Sequence, residues 1–135
     1  MKLIIIRHGD PDYEIDSLTK TGWEEAERLS ERISALNVKD FYVSPLGRAR
    51  DTASCTLKKC GRTAKVLEWL REFDVRIDER PVTWDMLPEE WTVVPEYYDK
   101  DKWYELPDMK KAGMKSGIDE VNNGLDKILE EHGYK

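Results

Sequence analysis

The chain has 135 residues, of which 39% are hydrophobic and 37% are charged, a composition typical of a globular domain with a highly charged surface. Its net charge of −6 argues against nucleic acid as a general partner, because there is no basic excess to neutralise phosphates. The longest apolar run is too short to cross a bilayer, and the N-terminus has no signal-peptide pattern. We therefore expect a cytoplasmic protein without nucleic-acid or membrane partners, in which Cys55 and Cys60 are free thiols.

The first predicted elements are a strand, a loop and a helix. Residues 2–7 contain a short apolar run rich in β-branched residues, which predicts a buried strand. Residues 8–18 carry turn formers and predict a loop. Thr19 suits an N-cap, and the helix that follows it should end near Asn37. The expected buried face of this helix is Trp23, Ala26, Leu29, Ile33 and Leu36.

A second strand, a second helix and a third strand are predicted next. The strand covers residues 41–43, and the helix begins near Ser44-Pro45 and ends at Gly61. Residues 65–70 predict the third strand. The expected apolar face of this helix is Leu46, Ala49, Ala53, Leu57 and Cys60. Alternating strands and helices indicate an α/β fold with a mostly parallel sheet.

The second half of the chain has a different character. Residues 80–111 combine prolines, tryptophans, tyrosines and acidic residues without a clear period, which predicts an insertion of short irregular helices. This insertion could also form a lid over a site. The last segment is again helical, with an apolar stripe of Ile118, Val121, Leu125, Ile128 and Leu129. His132 and Gly133 suit the end of that helix.

Polar residues follow the first two predicted strands. Arg7-His8-Gly9 ends the first strand, and Arg48 lies near the start of the helix after the second. Ligands of open α/β sheets bind at the carboxyl ends of the strands. Two guanidinium groups and the amides of a helix N-terminus suit phosphate oxygens. The sequence therefore predicts an oxyanion pocket, most simply for phosphate, with a nucleophile or acid–base group at its centre.

Three motifs occur in a fixed order. They are Arg7-His8-Gly9, then Leu18-Thr19-x-x-Gly22 leading into Glu25-Ala26, then Ser44-Pro45-Leu46-x-Arg48-Ala49-x-x-Thr52-Ala53. On these motifs the chain resembles the histidine phosphatase superfamily, also called phosphoglycerate mutase-like. The resemblance implies an α/β three-layer sandwich with helices on both faces of a mostly parallel sheet and an insertion after the third strand. It implies one domain over residues 1–135, truncated at its C-terminus, with 80–111 as the insertion or lid.

The resemblance also implies roles for individual residues. His8 matches the nucleophile that becomes a phosphohistidine, and Arg7 and Arg48 match the residues that bind the phosphate. Glu72, in Leu70-Arg71-Glu72, matches the acid that protonates the leaving oxygen; the neighbouring acids Glu68, Asp74 and Glu79 remain alternatives. A further histidine of the family pattern has only His132-Gly133 as its counterpart, which we interpret as a helix end.

The function that the resemblance implies is hydrolysis of a small phosphate ester through a phosphohistidine on His8. Two alternatives remain open: a phosphoglycerate-type mutase, and a phosphate-binding regulatory protein with impaired catalysis. The expected partner is a small phosphorylated substrate or inorganic phosphate. We expect neither a metal ion nor an organic cofactor, because the sequence has no cluster of Cys, His and Asp residues with ligand spacing. The sequence leaves the oligomeric state open.

Overall fold

The computed structural model describes residues 2–72, 87–93 and 95–134. The chain divides into two compact units, Met1–Arg71 and Glu72–Lys135. Both helices and strands are present, which confirms the α/β class. Asp74, Glu79 and residues 80–86 of the predicted insertion lie outside the described residues. None of the described helices is long and apolar enough to span a membrane.

The strands of the first unit are short and form two pairs. β1 (Pro11–Asp12) and β2 (Ser17–Leu18) are antiparallel and form a hairpin. β3 (Tyr42–Val43) and β4 (Lys65–Val66) are parallel, with Tyr42 opposite Lys65 and Val43 opposite Val66. A helix lies between β3 and β4 in the chain, as a parallel connection requires. The third strand, predicted over residues 65–70, is shorter than expected: it ends at Val66, because Glu68–Leu70 form a 3₁₀ turn.

The first unit contains two long helices. α1 (Lys20–Ser34) has Thr19 as its N-cap, and the Thr19 side chain accepts a hydrogen bond from the Gly22 amide. α2 (Gly47–Cys60) ends at Gly61, which adopts the left-handed conformation with φ 62°. A residue without a Cβ takes this conformation at little cost. Both predicted helices are thus confirmed, because their periodicity and end signals are local.

The predicted buried strand over residues 2–7 is wrong. These residues have no regular secondary structure and are exposed, and 88% of the surface of Ile5 is accessible. A strand is stabilised by hydrogen bonds to a neighbouring strand and by cover on its faces. Within the described residues, both strand pairs form elsewhere, so the apolar run has no ladder to join.

The buried faces of α1 and α2 also differ from the prediction. Ala26 and Ile33 of the predicted α1 face are buried, but Trp23 and Leu36 are exposed, and α1 also buries Gly22 and Ser30. α2 buries Arg48, Thr52 and Thr56, whereas its apolar face is only half-buried. Residues at intervals of three or four, most of them small or polar, therefore form the most buried surface of both helices.

The second unit consists of short helices followed by one long helix. The short ones are α3 (Pro88–Thr92), 3₁₀ turns at Pro95–Tyr98 and Trp103–Glu105, and α4 (Pro107–Lys111). α5 (Met114–Glu131) follows and has His132 at its C-cap. Met109 and Met114 form the core, with side chains including Tyr97, Trp103 and Tyr104 packed against them. Within the described residues, the irregular helices, the packing of Tyr97, Trp103 and Tyr104, and the helix end at His132 are confirmed.

Candidate active site

His8 lies in the segment that precedes β1, and its ring is half-buried. Its Nδ1 atom is 2.8 Å from the carbonyl oxygen of Gly9. A carbonyl oxygen only accepts hydrogen bonds, so Nδ1 carries the proton in this contact. In the neutral ring the lone pair is then on Nε2, which can attack an electrophile.

The segment after His8 is attached to α2 through a single hydroxyl group. The Gly9 amide donates to Thr52 Oγ1 over 3.0 Å, and the same hydroxyl donates to the Arg48 carbonyl oxygen over 2.8 Å. Thr52 is 5% exposed. The backbone beside His8 and the helical turn that carries Arg48 are therefore joined by two consecutive hydrogen bonds.

The same segment is attached to α1 through Asp10. The Asp10 amide donates to Glu25 Oε2 over 2.8 Å, and the Asp10 carbonyl oxygen accepts from the Thr19 amide over 3.0 Å. Thr19 Oγ1 also donates to Asp10 Oδ2 over 2.6 Å. Residues of the second sequence motif thus hold the backbone that follows His8.

Two glycines allow this segment to approach α1 closely. A Cβ on Gly22 would lie 2.2 Å from the Asp10 carbonyl oxygen, and a Cβ on Gly9 would lie 2.9 Å from the Gly22 carbonyl oxygen. Ordinary carbon–oxygen contacts are well above these distances. The glycines of the first two motifs are thus explained by steric contact between backbones.

Arg48 is the second residue of α2, and its side chain is only 10% exposed. Its Nη1 atom forms a 2.7 Å ion pair with Asp16 Oδ1. The guanidinium also lies over the ring of Tyr13, with the Cζ atom 5.3 Å from the ring centroid. Both contacts come from the loop of the β1–β2 hairpin.

The Asp16 carboxylate also caps α2. Its Oδ2 atom accepts from the Gly47 amide over 2.6 Å, and its Oδ1 atom lies 3.5 Å from the Arg48 amide. These hydrogen bonds, chiefly that of Gly47, together with the Arg48 side chain, lower the pKa of Asp16 below its ordinary value. An anionic group thus already lies on the helix N-terminus where the sequence predicted phosphate.

The predicted site residues differ in their surroundings. Arg7 is exposed, as is Glu72, the first residue of the second unit. His8 and Arg48 both belong to the first unit, in segments joined through Thr52. The assigned roles of His8, Arg7, Arg48 and Glu72 remain predictions.

Sequence reasoning missed the contacts of two residues. Thr52 was part of the third motif, and its position four residues after Arg48 was a signal for a shared helix face. Asp16 lies in the loop predicted over residues 8–18, and the sequence predicts no contact for it. Its bond to Gly47 spans 31 residues, a separation at which spacing along one chain gives no signal.

A half-open groove of about 460 Å³ runs along the other side of α2. Its lining includes Val43, Ala53, Leu57 and Val66, with Arg50 and Asp51 from α2. This groove is built from the half-buried apolar face of α2 and the two parallel strands. His8 and Arg48 are not among its lining residues.

The first unit is therefore part of an α/β protein that presents an imidazole with its tautomer fixed and a guanidinium at a helix start. The family model for the histidine phosphatase superfamily (branch 1) matches residues 3–135. The chain belongs to this family, as its three motifs indicated.

Two curated relatives are phosphoglycerate mutases by name. A 2,3-bisphosphoglycerate-dependent phosphoglycerate mutase of Thermoplasma acidophilum is 35% identical over 60 residues, which cover 37% of this chain and 30% of the relative. A probable phosphoglycerate mutase GpmB of Photorhabdus laumondii is 29% identical over 89 residues, which cover 59% of this chain and 41% of the relative. The matches thus span less than half the length of either relative.

Proposed function

We propose that this protein hydrolyses a small phosphate ester through a phosphohistidine on His8. The observation that supports this most directly is the 2.8 Å contact between His8 Nδ1 and the Gly9 carbonyl oxygen. It leaves Nε2 as the nucleophile in the neutral ring. The hydrogen bonds of Gly9 and Asp10 to α2 and α1 fix the backbone beside that ring, which is the preorganisation that a nucleophile requires.

The proposed reaction has two steps. In the first, Nε2 of His8 forms a bond to phosphorus while the bond to the ester oxygen breaks, and Glu72 gives its proton to the departing alkoxide. In the second, Glu72 takes a proton from water as the water oxygen attacks phosphorus and the phosphorus–nitrogen bond breaks. The products are an alcohol and inorganic phosphate, and His8 and Glu72 regain their initial states.

The arginines are proposed to bind the phosphate oxygens. A guanidinium donates two parallel hydrogen bonds to such oxygens, and positive charge held in place stabilises the transition state of phosphoryl transfer. Arg48 is nearly buried, and its position is defined by Asp16 and Tyr13. Arg7 is exposed and lies next to His8 in the chain.

The wider features of the family are proposals as well. We propose the three-layer sandwich with a mostly parallel sheet as the fold of the whole protein, on the basis of the family match over residues 3–135. The parallel pair β3–β4, with α2 between its strands, supports it. We propose the cytoplasm as the location, because Cys55 and Cys60 are free thiols, which reducing compartments maintain.

Replacement of His8 tests the proposal. We expect His8→Ala to abolish hydrolysis of p-nitrophenyl phosphate in the whole protein, because it removes the proposed acceptor of the phosphoryl group. His132→Asn is the matched control, since His132 lies at the C-cap of α5 and should leave turnover unchanged. Turnover retained by His8→Ala contradicts the proposal. Binding of phosphate without turnover in the unaltered protein would instead support a regulatory protein with impaired catalysis.

A phosphoglycerate-type mutase is the second candidate, favoured by the names of both curated relatives. A mutase passes the phosphoryl group from His8 to a second hydroxyl group instead of to water. Phosphorus NMR of 3-phosphoglycerate with catalytic 2,3-bisphosphoglycerate separates the two activities. Formation of 2-phosphoglycerate supports the mutase, and accumulation of inorganic phosphate supports the phosphatase.

A further inference from the structure

The loop of the β1–β2 hairpin lies over the first turn of α2. Residues 13–16 connect β1 to β2, and this loop supplies both Tyr13 and Asp16 to the Arg48 side chain. The adjacent Ser17 hydroxyl donates to Asp51 Oδ2 of α2 over 2.6 Å. The hairpin is therefore anchored to α2 at its loop and at the start of its second strand.

Asp16 takes the place of an N-cap side chain. The N-cap residue of α2 is Leu46, whose side chain has no hydrogen-bond acceptor. The first amides of a helix need an acceptor from elsewhere, and Asp16 provides one for Gly47. Because its other oxygen pairs with Nη1 of Arg48, one carboxylate fixes both the backbone and the guanidinium of the same helical turn.

The backbone around Asp16 is adapted to this contact. Asp16 has a φ of 48°, in the left-handed region that non-glycine residues rarely adopt. A Cβ on Gly47 would lie 2.0 Å from the Asp16 carbonyl oxygen. An unfavourable conformation persists only where the surroundings enforce it, and such residues cluster at functional sites. Here the hydrogen bonds to α2 and the glycine at its start enforce it.

We propose that Asp16 is a positioning residue that holds the Arg48 guanidinium in the orientation that binds a phosphoryl group. This inference rests on the proposed function. Nη1 of Arg48 is paired with Asp16, which fixes how the plane of the guanidinium and its five donors are turned. Asp16 thereby decides which edge faces the ligand. Asp16 therefore affects catalysis indirectly, by holding the Arg48 side chain in place.

The first test compares two acidic residues of the same hairpin loop. We expect Asp16→Asn and Asp16→Ala to reduce kcat/KM for p-nitrophenyl phosphate by about tenfold or more, mostly through kcat, because small misplacements of a catalytic group are costly. Glu14→Gln removes the same charge from the same loop and should stay within about twofold of the unaltered protein. Circular dichroism melting verifies that each variant is folded. If Glu14→Gln lowers kcat/KM as much as Asp16→Asn does, loop charge is responsible and the proposal is wrong.

The second test asks whether Asp16 acts through Arg48. Arg48→Lys keeps the positive charge but loses the planar fork. If Asp16 orients that fork, adding Asp16→Asn to Arg48→Lys should lower kcat/KM by less than about threefold, so the two losses are not additive. Full additivity of the two losses would overturn the proposal.

Direct binding of inorganic phosphate separates this inference from the proposed function. In calorimetric titrations, we expect Asp16→Ala to weaken phosphate binding by about tenfold, even if the unaltered protein hydrolyses no ester. Tighter binding in Asp16→Ala would show that the carboxylate competes with the ligand, and would overturn the proposal. The proposal would also be overturned if the unaltered protein neither bound phosphate nor hydrolysed an ester.

Discussion

One hydroxyl group, that of Thr52, connects the backbone beside His8 to the helix that carries Arg48. We expect Thr52→Val to lower the free energy of unfolding by about 1–2 kcal/mol, because the Gly9 amide loses its acceptor while the side-chain volume is kept. It should also lower kcat/KM, because the His8 segment is no longer attached to α2. Thr52→Ser keeps the hydroxyl and should retain most of the stability and most of the kcat/KM. Urea unfolding and phosphate-ester kinetics measure these two effects.

Thr56 provides the matched control for that substitution. It is buried one turn further along α2, and its hydroxyl has no hydrogen-bond partner in the described part of the chain. Thr56→Val should therefore be neutral or stabilising, since it removes an unpaired polar atom. Equal destabilisation by both valine substitutions would show that packing, and not the bond to Gly9, makes Thr52 important.

At the residue scale, the sequence identified the motifs but not the contacts within them. The motifs include Gly22 and Thr52. The structure explains why glycine and threonine occur at these positions, since each residue contacts the segment after His8. Asp16 has no counterpart in those motifs. A contact between distant residues depends on the path of the chain through the fold, which residue spacing does not encode.

At the element scale, the N-terminus of α2 depends on an ionised group. The hydrogen bond from the Gly47 amide, with further contributions from Arg48, lowers the pKa of Asp16 from 3.8. The carboxylate therefore contributes stability that is fully present above the unfolded-state pKa. That contribution is lost as the pH falls through 3.8 and then through the lower pKa of the folded state.

We expect the difference in stability between the unaltered protein and Asp16→Asn to shrink on acidification from about pH 6 to about pH 3. The effect should be less than about 1 kcal/mol, because the side chain is 45% exposed and solvent screens its charge. Denaturant unfolding at the two pH values measures it. Glu14→Gln should keep the full acid sensitivity of the unaltered protein, and a constant difference for Asp16→Asn would contradict the expectation.

At the element scale, the difference between local and long-range signals explains why the helices were predicted well and the first strand was not. Periodicity and end signals such as Thr19 and Gly61 act within one segment, so the start of α1 and the end of α2 follow from the sequence. An apolar run becomes a strand only when another strand pairs with it. Residues 2–7 carry the composition of a strand but have no such partner in the described part of the chain.

At the scale of the whole molecule, the order of the motifs was more informative than any predicted element. Three short patterns between residues 7 and 53 indicated the family that the match over residues 3–135 shows. The choice between phosphatase and mutase did not follow from them. That choice depends on which acceptor reaches the proposed phosphohistidine, water or a second hydroxyl group, and the three motifs give no signal for the acceptor.

Glu72, the proposed acid, is the first residue of the second unit. If Glu72 protonates the leaving oxygen, Glu72→Gln should slow hydrolysis of an alkyl phosphate by about 100-fold or more. The first step with p-nitrophenyl phosphate should be slowed far less, because p-nitrophenolate leaves without a proton. The decisive measurement is therefore the single-turnover rate at which each substrate releases its leaving group. Glu68→Gln is the control, because Glu68 forms an exposed ion pair with Arg71 over 3.5 Å, and such pairs contribute little. Equal slowing of both substrates by Glu72→Gln would mean that Glu72 is not the acid.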